Sequence, residues 1–300
     1  MAGVLDGKVV IITGAGRGIG QGIARGCAAE GARVVVADFG LAMDGSSPDP
    51  SVAEASAVAI RDSGGEAIGV AGNVARKEGA DAIIAAALTE WGRIDGLVNC
   101  AGVLRHRPFL ELTEADFDAV IASHLKGHFL MYHGVLTRLV KQGTGGSLIG
   151  ISSGYVMGDP NRTPYRAAKA GIVGLTKSVA MAGIEHGVRA NVIAPIADTR
   201  MTKASQLPIT WSPDDIAPMA AFLLSDAAQG ITGEVYSVHG ETIAIWADPH
   251  EQRRIASPSG RWTQERIAAQ IGWLRADAPA AMPPVPSVPE TAMPQAEPEV

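Results

Sequence analysis

Residues 8–20 read KVVIITGAGRGIG. A β-branched run breaks at Thr13 into Gly14, Gly16, Gly18 and Gly20, and helical apolar spacing then begins at residue 18. Glycines permit a sharp turn and close approach to a bound group, and the helix amides beyond Gly18 face outward to receive a pyrophosphate. The spacing is TGxxxGxG rather than GxGxxG, because Ile19 stands where the last glycine of that pattern would fall. Its place between a strand and a helix makes Thr13, Gly14, Gly16, Arg17, Gly18, Ile19 and Gly20 candidate dinucleotide contacts.

The next strand, RVVVAD (33–38), ends at Asp38. A carboxylate there accepts both hydroxyls of an adenosine ribose and repels a 2′-phosphate, which predicts NAD over NADP. Arg17 works the other way, since a guanidinium in the glycine loop assists a phosphate. The plainer reading of Asp38 is the opening of a polar loop.

Further strands are read at 66–73, 94–100, 146–153, 188–195 and 234–240, separated by helical patterns at 51–63, 77–91, 113–141, 163–185 and 213–224. Strands apolar on both faces and alternating with helices predict a seven-stranded parallel, doubly wound α/β sheet, with its ligand crevice beyond the carboxyl ends of the strands. One Rossmann-type domain over 1–250 is expected to hold both cofactor and substrate sites. Residues 251–278 read as an appended helical segment, and the proline-rich stretch 279–300 as a disordered tail.

The 300 residues carry a net charge of −6, which argues against a nucleic-acid or anionic-membrane surface. No stretch of eighteen uninterrupted apolar residues is found. Cys27 and Cys100 both fall in apolar segments, so a reducing, cytoplasmic setting is expected.

The fifth strand leads into ISSGYVMGDPNRTPYRAAK (151–169). Tyr165 and Lys169 share a helix face. A phenol is a feeble base at neutrality unless positive charge beside it stabilises the phenolate, and an adjacent ammonium supplies that charge. Tyr165 is thus placed to take a hydroxyl proton as a hydride leaves, with a serine hydroxyl holding the substrate oxygen. Alone, such a pair means little; its position after the fifth strand gives it weight.

These motifs together resemble the short-chain dehydrogenase/reductase family over residues ~4–245, with NCAG (99–102), VRANVIAP (188–195) and SPDDIAPMAAFLLSDAAQGITGEVY (212–236) in the family's order. The nearest likeness is to its hydroxyacyl-CoA and hydroxysteroid dehydrogenase branch, that of the peroxisomal multifunctional β-oxidation enzyme. VVVADFG, GVLRHRPF, SHLKGHF and PIADTRMT carry that likeness. The resemblance implies NAD-dependent oxidoreduction of a secondary alcohol or ketone, on a 3-hydroxyacyl thioester or a hydroxysteroid. It adds Asn73, Val74, Asn99, Ala101, Gly102 and Pro195 to the cofactor site, with Thr199 and Met201 near the nicotinamide carboxamide and Lys169 on the ribose. It also implies a homodimer or homotetramer formed through the two long helices.

Three departures stand out. His124 replaces the asparagine that many members use to hold a relay water; it is a relay partner of Lys169, a packing residue, or half of a metal pair with His128, the last the least favoured, so no metal site is assigned. Ile196 replaces the glycine usual after Pro195. The family's usual spacing back from Tyr165 selects Ser152, whereas strand alignment selects Ser153, and strand register is the harder to shift. Arg105 and Arg107 are candidate contacts for CoA phosphates. Competing readings are a 3-oxoacyl-carrier-protein reductase or other secondary-alcohol dehydrogenase, a non-catalytic NAD-binding regulator, and a nucleotide-sugar epimerase.

Overall fold

The computed structural model describes residues 3–42, 45–154, 156, 158–203, 209–257 and 260–275. The described residues fall into two compact units, one within 1–246 and the other within 247–300. In the first, β1 (Val9–Thr13) is buried along its length because strands flank it and helices cover both faces. A fully buried valine or isoleucine contributes about 2 kcal/mol. The run VVIIT therefore belongs at the centre of a sheet.

The remaining elements follow in alternation: α1 (Gly18–Ala29), β2 (Arg33–Ala37), α2 (Ser51–Asp62), β3 (Glu66–Val70), α3 (Lys77–Trp91) and β4 (Gly96–Asn99). Then come α4 (Glu114–Ile121), α5 (Gly127–Gln142), β5 (Gly146–Ile151), α6 (Thr163–Gly183), β6 (Val188–Pro195), α7 (Arg200–Lys203), α8 (Ala217–Leu224), β7 (Val235–His239) and β8 (Thr242–Ile245). The strand order is β3-β2-β1-β4-β5-β6-β7-β8. Winding reverses between β1 and β4, where Thr13 pairs with Asn99, and the crevice opens beyond the carboxyl ends of these strands.

The sheet has eight strands rather than seven. β8 is antiparallel to β7, joined through Gly240 at φ +48°, and its four residues are all exposed. An exposed four-residue edge strand has neither the length nor the apolar face by which strands are recognised. The strand expected over 66–73 stops at Val70, and Asn73 instead turns the chain, its Oδ1 accepting the Ala75 amide at 3.0 Å. The helix expected over 113–141 is broken into α4 and α5 by a π-helical turn at Ala122–Lys126. Residues Pro213–Ile216 of the expected helix 213–224 form a tighter 3₁₀ turn.

Among the described residues α6 is the one helix long and apolar enough to suit a membrane span. It carries Lys169 buried at 3% exposure. The second unit contains α9 (Gln264–Arg275), and the expected tail 279–300 lies outside the described residues.

Candidate active site

Two adjoining pockets lie at the carboxyl ends of the central strands. The larger, about 420 Å³, is lined by Gly14, Arg17, Gly18, Ile19, Gly20 and Asp38, with Asn73, Val74, Ala101, Gly102, Thr199 and Met201 opposite. The smaller, about 230 Å³, holds Ser153, Tyr165, Lys169, His124 and Pro195. Ile19, Cys100, Thr199 and Met201 line both, so the two form one continuous cleft.

Close contacts leave no room for a side chain at Gly14, Gly16 or Gly20 of the glycine loop. Gly14 (φ +65°) and Gly18 (φ +56°) adopt left-handed conformations. A Cβ on Gly14 would lie 2.8 Å from Ala101 backbone, and one on Gly20 would strike the Gly14 carbonyl. Gly16 N–H donates to Asp38 Oδ2 at 2.9 Å, and Gly40 N–H to Oδ1 at 2.7 Å, so Asp38 ties the loop to the end of β2. This cradle of close backbone, with a carboxylate at its edge, fits a dinucleotide pyrophosphate and ribose. Arg17 and Arg200 stand near the same carboxylate. Burial lowers the proton affinity of Arg200, the Arg17 charge lowers it further, and Asp38 opposes both.

Thr13 and Asn99 lie beneath the cleft. Thr13 Oγ1 donates to Asn99 Oδ1 at 2.8 Å and accepts the Cys100 and Ala101 amides, stitching β1 to the end of β4. Asn99 Nδ2 is buried without a hydrogen bond. Cys100 is a free thiol whose pKa burial pushes up to about 11, with Lys169 opposing.

In the smaller pocket, Lys169 Nζ donates to Ile151 O at 2.7 Å and lies 5.5 Å from the centre of the Tyr165 ring. Ser152 is buried, and its Oγ donates to Lys169 O at 2.9 Å. Ser153, one residue on, turns to the opposite side, where Arg166 Nη1 lies 3.4 Å from its Oγ. Ile196 presses on Gly154, where a Cβ would approach its Cγ1 to 2.6 Å, and forms part of the pocket wall.

The π-helical turn carries His124. Its Nε2–H donates to Val103 O at 2.7 Å, and its carbonyl accepts His128 Nδ1–H at 2.7 Å. The two imidazoles therefore serve different carbonyls. Burial holds His124 well below the usual imidazole range and takes His128 down to about 3, with the Lys169 charge second for both.

Arg105 and Arg107 each reach Asp116 at 3.3 Å from the loop after β4. Sequence reasoning missed Arg162, Arg166 and Leu104 in the smaller pocket, and Arg200 and Ser123 in the larger. Arg166 sits inside the Tyr–Lys motif itself, which was the available signal.

Residues 14–240 match the family described as enoyl-(acyl carrier protein) reductase. A hydroxyacyl-CoA dehydrogenase of Mycobacterium tuberculosis is 36% identical over 285 residues, covering 89% of this chain and 88% of that protein. The peroxisomal multifunctional enzyme type 2 of Mus musculus is 34% identical over 227 residues, covering 75% of this chain and 30% of that protein. The crystal structure of a short chain dehydrogenase from Mycobacterium avium superposes with a TM-score of 0.83 at 37% identity, covering 94% of this chain and 99% of that one.

Proposed function

The chain belongs to the short-chain dehydrogenase/reductase family and oxidises or reduces CH–OH groups of secondary alcohols and ketones, and we propose that it does so with NAD through Tyr165, Lys169 and Ser153. The observation that carries this reading is the continuity of the glycine-loop cleft with the pocket holding those three side chains. When bound, the nicotinamide supplies the hydride acceptor, or the donor in the reverse direction.

Ser153 Oγ holds the substrate oxygen, and Tyr165 Oη takes its proton or returns it. The Lys169 ammonium, anchored on Ile151 O, stands 5.5 Å from the centre of the Tyr165 ring, beside the group that exchanges the proton. Lys169 and Thr199 would hold the nicotinamide half of the cofactor, and Asp38 the adenosine ribose. Asn73, Val74, Ala101 and Gly102 would form the wall between. A 3-hydroxyacyl thioester is the preferred substrate class, supported by the hydroxyacyl-CoA dehydrogenase relative. The chain is expected to act as a homodimer or homotetramer in the cytoplasm.

The test is NAD reduction followed at 340 nm across acyl-CoA, steroid and small secondary-alcohol substrates. Turnover of at least one class, abolished in Tyr165→Phe with NAD binding retained, is expected. A wild type that binds NAD but is as inert as Tyr165→Phe would make the chain a cofactor-binding regulator instead.

A further inference from the structure

Arg166 follows Tyr165 on the first turn of α6, its amide donating to Arg162 O at 3.0 Å. Its side chain is only 14% exposed, and the two ends of the guanidinium face different partners. Nη2 reaches Oδ2 of the buried Asp159 at 3.5 Å, while Nη1 donates to Ser153 Oγ at 3.4 Å. Asp159 is itself tied down: its Oδ1 accepts the Asn161 amide at 3.0 Å, and Arg162 reaches Oδ2 at 3.5 Å. The carboxylate and the helix start thus hold Arg166 with one N–H edge turned to Ser153. Its guanidinium lies 5.8 Å from the centre of the Tyr165 ring, and all three residues line the smaller pocket.

A guanidinium has only donors and stays charged at every working pH. A serine hydroxyl can turn its single hydrogen in several directions. With Arg166 donating onto the Ser153 oxygen, that hydrogen cannot point at the arginine and is left for an acceptor elsewhere. The charge also polarises the hydroxyl, since hydrogen bonds in a chain strengthen one another away from water. Hydrogen bonds of catalytic groups are often long in the free enzyme and tighten around the substrate. As hydride reaches a carbonyl carbon, the oxygen gains negative charge. A polarised donor aimed there stabilises the transition state more than the ground state.

We infer that Arg166 is a positioning residue: it sets the Ser153 hydroxyl as a donor to the substrate oxygen. It acts through Ser153. The substrate atom opposite Ser153 must then be an acceptor, a carbonyl or carbinol oxygen, and a protonated amine has no lone pair to offer. The inference rests on hydride transfer at Tyr165 and adds a residue to it.

Two measurements test it, and the first needs no turnover. Ser153→Cys places a thiol beside Arg166. Its alkylation by iodoacetamide is followed against pH, with the labelled residue identified by mass spectrometry. Cys27 and Cys100 stay protonated, burial having pushed them up to about 12 and about 11. Adding Arg166→Gln should raise the titration of the introduced thiol by about one pH unit, the size expected from losing a neighbouring cation. Tyr165, Lys169, Arg162, Asp159 and His124 are present in both proteins, so the difference reads Arg166. A thiol that titrates alike with and without Arg166 overturns the inference.

The second is a double-substitution cycle on kcat/KM, using whichever of 3-hydroxybutyryl-CoA, testosterone and isopropanol turns over fastest. Arg166→Gln should lower kcat/KM by about tenfold with NAD affinity unchanged, which also reports that the variant folds. Arg166→Lys, which keeps a charged donor, should recover part of the loss. In Ser153→Ala the same Arg166→Gln should cost less than about twofold, because the hydroxyl it acts through is gone. An equal cost in both backgrounds, or none in wild type, overturns the inference. A shifted thiol with turnover of none of the three compounds supports the pairing and counts against hydride transfer at Tyr165.

Discussion

The imidazole of His124 stands edge-on to the phenol of Tyr165, with ring centres 5.3 Å apart and planes at 89°. The same imidazole fills the space that a Cβ on Gly102 would need. One ring therefore connects the end of β4, the π-helical turn and the proposed proton-transferring phenol. Its Nε2–H bond to Val103 O fixes its orientation. His124→Ala should lower kcat by about 10–100-fold, leave KM for NAD unchanged, and cost about 2–4 kcal/mol in stability through the cavity it leaves. Steady-state kinetics and denaturant midpoints check this, and an unchanged kcat with reduced stability would confine His124 to packing.

The two serines give a sharper contrast. Both serines border the smaller pocket, but Ser152 is buried and spends its hydroxyl on Lys169 O, whereas the Ser153 hydroxyl has Arg166 Nη1 at 3.4 Å. Ser153→Ala should reduce kcat/KM by about 100-fold, the range for one lost transition-state hydrogen-bond donor. Ser152→Ala should cost about 1 kcal/mol of stability and less than tenfold in turnover. The reverse pattern would move the catalytic serine back one residue.

The glycine loop, Asp38 and the Tyr165–Lys169 pair were legible because their constraints are local: a left-handed turn, a strand end, one helical turn. Strand register, in which a one-residue slip reverses the face, is the ground on which Ser153 is preferred to Ser152. Nothing in ASHLK announces a π-helical turn, because that geometry depends on how α4 and α5 each pack. Arg162 and Arg166 read as ordinary charged positions on a helix. Only the loop carrying Asp159, folded against the start of α6, makes them part of a pocket wall.

Burial of His124 and His128 has a consequence for stability. Both are held neutral, His128 titrating at about 3 in the fold against 6.5 as its ordinary value. Between those values the unfolded chain binds the proton and the folded chain does not, so stability falls as pH drops below about 6.5. At pH 5 the His128 contribution alone should cost about 2 kcal/mol relative to neutrality. Urea midpoints from pH 7.5 to 5 should fall, and His128→Gln should flatten the slope. An equal slope in the variant would show that other groups set the acid limit.

The proposed preference for NAD rests on Asp38. Its oxygens already bind the Gly16 and Gly40 amides and remain at the cleft wall, where the two hydroxyls of an unphosphorylated ribose would add further donors to the same carboxylate. A 2′-phosphate would instead set its charge against the carboxylate, although Arg17 and Arg200 stand nearby to receive it. Wild type should favour NAD over NADP by at least about tenfold in kcat/KM, about 1.4 kcal/mol of discrimination. Asp38→Asn keeps the shape and removes the negative charge, so the two guanidiniums should then draw NADP in and narrow or invert the preference. Dissociation constants for both cofactors, measured without substrate, separate this binding effect from any change in the chemical step. A wild type that prefers NADP would mean that Arg17 and Arg200 outweigh Asp38, and that the carboxylate serves to hold the glycine loop.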